Sequence, residues 1–596
     1  MKLPSLNLLY RQAKETFFRF PLVLVSALIG TYAMMRLIGF SREYYEVHSQ
    51  LYLNIVMTCS LGIPLFIAAV LFAESRKFSA GMKLLVQAIP VAALLLFYFT
   101  LSNDTDIFDI GRYFLYLVAF HLLVSFSAHM SDKSQTDFWD FNQIIFLRFI
   151  LSALYSGVLY AGLAIALLAF DKLFDMHIDG KRYGQLFFFI AGIFNTWFFC
   201  SGVPEIGGEK QEFKYPKGLK IFAQYVLLPI IVVYVVILYM YLFKIIFQWS
   251  LPMGWVSYLV IGFSAAGIFS LLLIYPLKDD VRWMRIFSRL FFAALIPQII
   301  LLFLAISRRT AEYGMTERRY YVIVLAVWLA VTTVFYLITN FRNIKYIPVT
   351  LCIIALVTSV GPWSAFNLSL NSQLGRLEEV LKKNSILVDG KIVKKADVEI
   401  TENEMSDVRS IVEFLIERRK LDRIQPWFGE DLANVSAEKV REMHRPSSFF
   451  KMQGIMELMG LKSVKTLDFK NKKFINVVTK DMKMLDVEKF SKFIFYESYA
   501  IDSTAKRYGA DSVGVYFDRT LNTMDVSRGN DNIRFDLNPV FRKLDTETPE
   551  PGAMTFNADG KKLGVKLQIK NFDAEKHGDT LKVGSIQAYI LMRNNE

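Results

Sequence analysis

The side chains able to carry chemistry in this chain are few, and most sit in apolar surroundings. His121 and His129 lie near one face of a helix in YLVAFHLLVSFSAH. Two imidazoles so placed could relay a proton or hold a metal near neutral pH. No HxxxH or HExxH spacing accompanies them, so hydrogen bonding inside a helix bundle is the expected role, above all for His121. Asn195 and Thr196, in FNTWFF, would either line a polar path or bond to a neighbouring helix, the commoner use. Lys244 falls late in a long apolar run and Arg36 near the end of another, where a long stem reaches back to an interface. Pro64, Pro90, Pro229 and Pro297 each interrupt an apolar run. Broken helices free the backbone groups that transporters use to bind ions and substrates at mid-membrane, although kinks without function are more frequent.

Acidic residues gather at two loop edges, Asp104 with Asp106 and Asp109, and Asp171 with Asp175, Asp179 and His177. Hard cations favour such oxygens. Lys172, Lys181 and Arg182 intervene in the second set, however, and its spacing is not that of an EF-hand loop, so no metal and no cofactor is assigned. Cys59, Cys200 and Cys352 each lie in an apolar run, with no CxxC or Cys/His spacing, which excludes a disulfide framework and gives no sign of zinc. Phosphate loops, nucleophile elbows and paired catalytic carboxylates are missing from the sequence, so no catalytic residue is assigned.

The elements that must position these residues follow from composition. A chain of 596 residues exceeds what one hydrophobic core supports, and 54% hydrophobic with only 21% charged side chains excludes disorder. Between residues 20 and 370 the apolar runs are long enough for about eleven membrane-crossing helices, bounded between ten and twelve, from Phe20–Phe40 to Ile344–Phe366. The weakest are the fourth, Tyr113–Ala128, and the fifth, Phe149–Phe170, whose apolar stretch begins at Ile144 and includes Arg148. Residues 1–19 are polar and basic, with Lys2, Arg11, Lys14 and Arg19, so the first apolar run is expected to stay as an anchor with this segment in the cytoplasm. Alternate loops repeat the basic bias, and Arg308, Arg309, Arg318 and Arg319 run against it. An odd span count would then put residues 371–596 outside the cytoplasm.

Those residues read as a soluble α+β domain in which Lys and Arg nearly balance Asp and Glu. Most of the net charge of +13 therefore belongs to the membrane half, where it sets topology and meets lipid headgroups, and nucleic acid is excluded as a partner. Thr401 and Glu404 have capping-box spacing ahead of Met405, Val408, Ile411, Val412 and Leu415, predicting a helix to about Lys420. Val513, Val515 and Phe517, then Ile533, Phe535 and Leu537, Val565, Leu567 and Ile569, and Ile586, Ala588 and Ile590 alternate as half-buried strands do. A Pro-rich break, Thr546 to Gly552, separates two strand pairs.

The stretches FDKLFDMHIDGKRYGQLFFFIAGIFNTWFFCSGVPE (Phe170 to Glu205) and YPKGLKIFAQYVLLPIIVVYVVILYMYLFKIIFQWSLPMGWVSYLV (Tyr215 to Val260), with IYPLKDD, GPWSAF and LVDGKIV further on, resemble a bacterial family of polytopic membrane proteins catalogued as domain of unknown function 4153. The resemblance implies a bacterial cytoplasmic-membrane protein with a trailing soluble domain and carries no catalytic residues. The expected function is non-catalytic: the bundle sits in the lipid bilayer and the C-terminal domain binds an envelope protein or ligand. A transporter or flippase is the alternative, and a membrane enzyme acting on lipid or glycan carriers the third reading.

Overall fold

The computed structural model describes residues 6–102, 105–131, 134–206, 215–248, 255–278, 281–393, 400–435, 447–461, 472–478, 487, 489–498, 506–508, 513–518, 521–529, 531–541, 554–561, 563–577 and 580–594. The break at Thr546 to Gly552 and Asp104 lie outside these residues. Two compact units divide the chain, Met1–Leu461 and Lys462–Glu596.

The first unit opens with an amphipathic helix, α1 (Leu6–Arg19), followed by α2 (Pro21–Gly39), α3 (Arg42–Ser75), α4 (Ala80–Thr100), α5 (Ile107–Ser127) and α6 (Gln135–Phe174). Next come α7 (Gly180–Phe189) and α8 (Asn195–Ser201), joined by a π-helical stretch, Ile190–Phe194, and α9 (Lys217–Ile221) and α10 (Leu228–Gln248), joined by a second, Phe222–Leu227. The bundle is completed by α11 (Trp255–Ile274), α12 (Arg282–Tyr313), α13 (Glu317–Thr339) and α14 (Tyr346–Ser359). Among the described residues 10 helices are long and apolar enough to cross a membrane, and α14 is a shorter apolar helix. Helices pair their backbone groups within the same segment, the condition for crossing hydrocarbon, and their Leu, Ile, Val and Phe side chains suit the apolar surroundings. The fourth and fifth apolar runs are helices of 21 and 40 residues. Many large apolar side chains face outward, among them Leu96, Phe99, Ile165, Tyr225 and Phe247. Such a surface suits lipid and would be a liability in water.

Both π-helical stretches have a local cause. Pro229 lacks the N–H that its helix would otherwise supply, and in the turns before it the Leu228 N–H reaches five residues back to the Ala223 carbonyl. In the first stretch the Asn195 N–H likewise reaches Ile190. There Gly192 is pressed against Thr31, and a Cβ would lie 1.9 Å from the Thr31 hydroxyl oxygen.

Beyond the bundle α15 (Ala365–Lys383), α16 (Glu402–Glu417) and α17 (Ser447–Leu458) form a helical cap, with a hairpin of β1 (Leu387–Val388) and β2 (Lys391–Ile392). Asp389 and Gly390, both at positive φ, supply the tight turn that LVDGKIV requires. The capping box at Thr401 and Glu404 is present, and Val408, Ile411, Val412 and Leu415 face a core shared with Leu377, Leu381, Ile455 and Met459.

The second unit is built of antiparallel strands. One sheet runs β5 (Lys506–Tyr508), β6 (Val513–Asp518), β7 (Thr523–Arg528) and β8 (Asp531–Asp536) in meander order. The other has the order β3 (Lys472–Val478), β10 (Leu563–His577), β11 (Thr580–Asn594), β4 (Lys492–Ser498), with β9 (Thr555–Asp559) pairing the first half of β10. A short helix, α18 (Asn538–Phe541), follows β8. The alternating residues expected to be buried are buried: Val513, Val515, Phe517, Ile533, Phe535, Val565, Leu567, Ile569, Ile586, Ala588 and Ile590 form one core between the sheets. Helices first and strands later give the α+β order expected after the bundle.

Candidate functional site

The most developed polar site of the first unit lies where the cap meets one end of the bundle. Asp106 caps α5 by accepting the Asp109 N–H at 2.8 Å. Asp109, 2% exposed, accepts from the Ser102 N–H at 3.2 Å, from the Ser102 hydroxyl and from the Arg112 guanidinium. A carboxylate taken this far from water is tolerable only with such partners. Arg112 Nη2 also donates to the Thr100 carbonyl at 3.2 Å, while its buried Nε has no hydrogen-bond partner among the described residues.

A second wall is the α14–α15 corner. Gly361 turns the chain at φ 83, Ser364 caps α15, and Asn367 Nδ2 donates to the Gly361 carbonyl at 2.9 Å. The third wall comes from the cap, where Lys420 Nζ lies 3.4 Å from Asp106 and 5.2 Å from the Phe108 ring centroid, beside Asp422 and Arg423. The three walls enclose a cavity of about 520 Å³, within the range of small-molecule sites. It presents carboxylates and cations together with hydroxyls and an amide, but neither His nor Cys. This set of charged and hydrogen-bonding groups suits recognition of a polar molecule.

Polar ties hold the cap over this cavity. Arg418, at the end of α16, grips Glu317 of α13 through two bonds of 2.8 and 3.0 Å, and its guanidinium stacks 3.7 Å from the Phe414 ring centroid. Gln373, 4% exposed, donates to the Tyr313 and Met315 carbonyls. Arg319, one of the arginines that runs against the charge bias, donates to the Tyr313 and Gly314 carbonyls. At least this member of that cluster secures the α12–α13 corner.

The residues singled out from the sequence are not brought together. His121 lies on the exposed side of α5, its Nδ1 2.7 Å from its own helix at Leu117, and not inside the bundle as expected. The half-buried His129 packs its ring against Phe138 and Phe141, and its carbonyl accepts from Lys345. Asn195 accepts from Ser156 of α6 at 3.2 Å, an interhelical bond at the end of the π stretch, and Thr196 is buried. Lys244 and Arg36 are exposed near the ends of α10 and α2. Pro64, Pro90 and Pro297 lie inside α3, α4 and α12, and Pro229 follows the second π stretch. Asp171 accepts from the Ile178 N–H at 2.6 Å and Asp179 caps α7, so these acids serve turns. Among the described residues no group of three or more His, Cys, Asp or Glu is arranged to hold a metal ion. Sequence reasoning flagged Asp106 and Asp109 but missed Arg112 and Lys420. The i, i+3 spacing of Asp109 and Arg112 at a helix start was the available signal.

These features define a polytopic membrane protein with a polar chamber under an α-helical cap and a C-terminal β unit. The chain belongs to the family described as domain of unknown function (DUF4153), whose model matches residues 17–383, more than half its length. It is 25% identical over 338 residues to an uncharacterised protein of Pasteurella multocida, covering 56% of this chain and 55% of that one. The chain thus spans about half the length of that curated relative. No solved structure matches.

Proposed function

We propose that the protein is a non-catalytic ligand-binding protein of the bacterial inner membrane, with the cap and β unit outside the cytoplasm. The cavity beneath the cap takes a small molecule bearing both a cationic and an anionic group. The observation that carries this reading is the shared wall: Asp109 and Arg112 belong to the bundle and Asn367, Lys420, Asp422 and Arg423 to the cap. A molecule held there touches both, so its binding energy favours one placement of the cap, which the β unit could report to an envelope partner. Basic residues in 1–19 support a cytoplasmic start.

The test is a thermal-shift screen of the full-length, detergent-purified protein with amino acids, betaines and small peptides, beside the cavity-filling Asn367→Trp variant. A zwitterion that raises the Tm of the parent and not of the variant is expected. Equal shifts in both proteins would refute the site.

A transport reading rests on a different observation. In α12 and α13 the buried Gln298 Nε2, Thr332 Oγ1 and Thr333 Oγ1 have no hydrogen-bond partner among the described residues, next to Pro297 inside α12. Unsatisfied polar groups inside a bundle are costly, and a passing solute or ion would satisfy them. Uptake of the screened ligand by proteoliposomes, lost in Gln298→Leu, would favour transport over reception.

A further inference from the structure

At the end of the bundle where α1 lies, a second cavity of about 1060 Å³ opens between α1, α6 and the α8 terminus. Its walls carry four cations, Arg11, Lys14, Arg19 and Arg148, and three carboxylates, Glu15, Glu74 and Glu205. Two of the cations are already engaged. Arg11 pairs with Glu15 at 2.9 Å, and Arg19 holds Glu74 through two 2.8 Å bonds while donating to the Val203 and Pro204 carbonyls. Lys14 and Arg148 have no ion pair or hydrogen bond to any described residue, and the carboxylate of Glu205, which lines the same cavity, is exposed.

Arg148 stands in an unusual place for a lone cation. It sits in the membrane-crossing α6, followed by exposed Phe149, Ile150 and Leu151, at the start of the apolar stretch. A guanidinium at that level needs an anion or water, and among the described residues no carboxylate forms an ion pair with it. Its stem runs across Gly202, where a Cβ would approach Arg148 Cδ to 2.4 Å, so a larger residue there would displace the side chain. Next to the cavity α1 turns Tyr10 and Phe18, 70% and 69% exposed, outward, as interfacial helices place aromatic rings among acyl chains.

We propose that this groove binds a phosphate group, that of an anionic phospholipid headgroup, with Arg148 as the bidentate anchor and Lys14 as the second cation. Arginine matches a phosphodiester in fork geometry, and basic pockets between helices at a leaflet surface select such headgroups. The acyl chains lie along the exposed apolar face of α6 beyond Arg148. This site is separate from the cavity beneath the cap and stands or falls independently of it.

The experiment reconstitutes the full-length protein in phosphatidylcholine nanodiscs and titrates phosphatidylglycerol, with inorganic phosphate as the soluble control. Binding is read by native mass spectrometry and by thermal shift. Arg148→Gln should weaken phosphatidylglycerol binding about tenfold, the worth of a charge-assisted pair. Gly202→Ala, which keeps every charge but displaces the guanidinium, should weaken it in the same direction. Phosphatidylglycerol affinity unchanged in both folded variants would overturn the site. Equal saturation by inorganic phosphate would overturn the lipid as its source. Should Arg148→Gln lose its thermal transition in phosphatidylcholine alone, Gly202→Ala and Lys14→Gln decide the matter by the same readout.

Discussion

Replacing Glu317 by Gln should loosen the cap from the bundle. The pair it forms with Arg418 is bidentate, both side chains are only about one-seventh exposed (13% and 14%), and Arg418 has its stacking on Phe414 to keep it in place. Glutamine retains the shape and one acceptor but removes the charge, leaving the guanidinium with the longer contacts to Glu417 and the Phe414 carbonyl, both at 3.3 Å. Charge-assisted hydrogen bonds contribute about 1.5–3 kcal/mol each, and the loss of one partner leaves the other to be rehydrated as the cap swings away, so a net cost of about 2 kcal/mol is expected. That is about a 30-fold rise in the open population of α16. Hydrogen exchange on the full-length protein in detergent reads it directly, since amides of Val408 to Leu415 exchange through this opening. The double variant Glu317→Gln with Arg418→Met should cost less than the two single changes summed. Unchanged exchange across α16 in Glu317→Gln would refute the view that this pair holds the cap.

Further outcomes follow from the same structure. Gly111→Ala would bring a Cβ within 2.6 Å of the Phe366 ring, and since α5 and α15 meet there the overpacking should lower stability by about 1–3 kcal/mol, read as a fall in Tm. Ile590→Ala, at a fully buried position of β11, should cost about 2–5 kcal/mol and lower the β-unit transition in a denaturant titration. The Lys383 ammonium and Thr401, through its hydroxyl and N–H, hold the Glu404 carboxyl down at about 2. Its contribution to the cap is therefore present above the ordinary glutamate range near pH 4 and lost as pH falls toward 2. Thr401→Ala should shift that acid loss to higher pH and cost about 1 kcal/mol, measured by acid titration of helical circular dichroism.

How much of this was legible depends on the element. Periodicity was enough for the strands, because Val513, Val515 and Phe517 or Ile586, Ala588 and Ile590 alternate without exception and all are buried. Thr401 and Glu404 marked the start of α16 because a capping box is a local device. Span existence was equally plain; the count was bounded because the fourth and fifth runs were weak, and the last run, Ile344–Phe366, holds an apolar helix of only 14 residues, α14. The candidate sites were hidden for a physical reason. Each cavity joins residues far apart in sequence, Asp109 with Lys420 in one and Arg19 with Arg148 in the other, and no local pattern announces such meetings. His121 misled because helical position alone does not tell which face meets lipid.

The central claim is a ligand chamber open to the outside under the cap. Asp422 lines it and is exposed, while the native thiols Cys200 and Cys352 are buried and Cys59 is half-buried. Asp422→Cys should react with a membrane-impermeant maleimide in intact spheroplasts, well above the background of the parent protein. Labelling that appears only after permeabilisation would place the chamber on the cytoplasmic side and contradict the account.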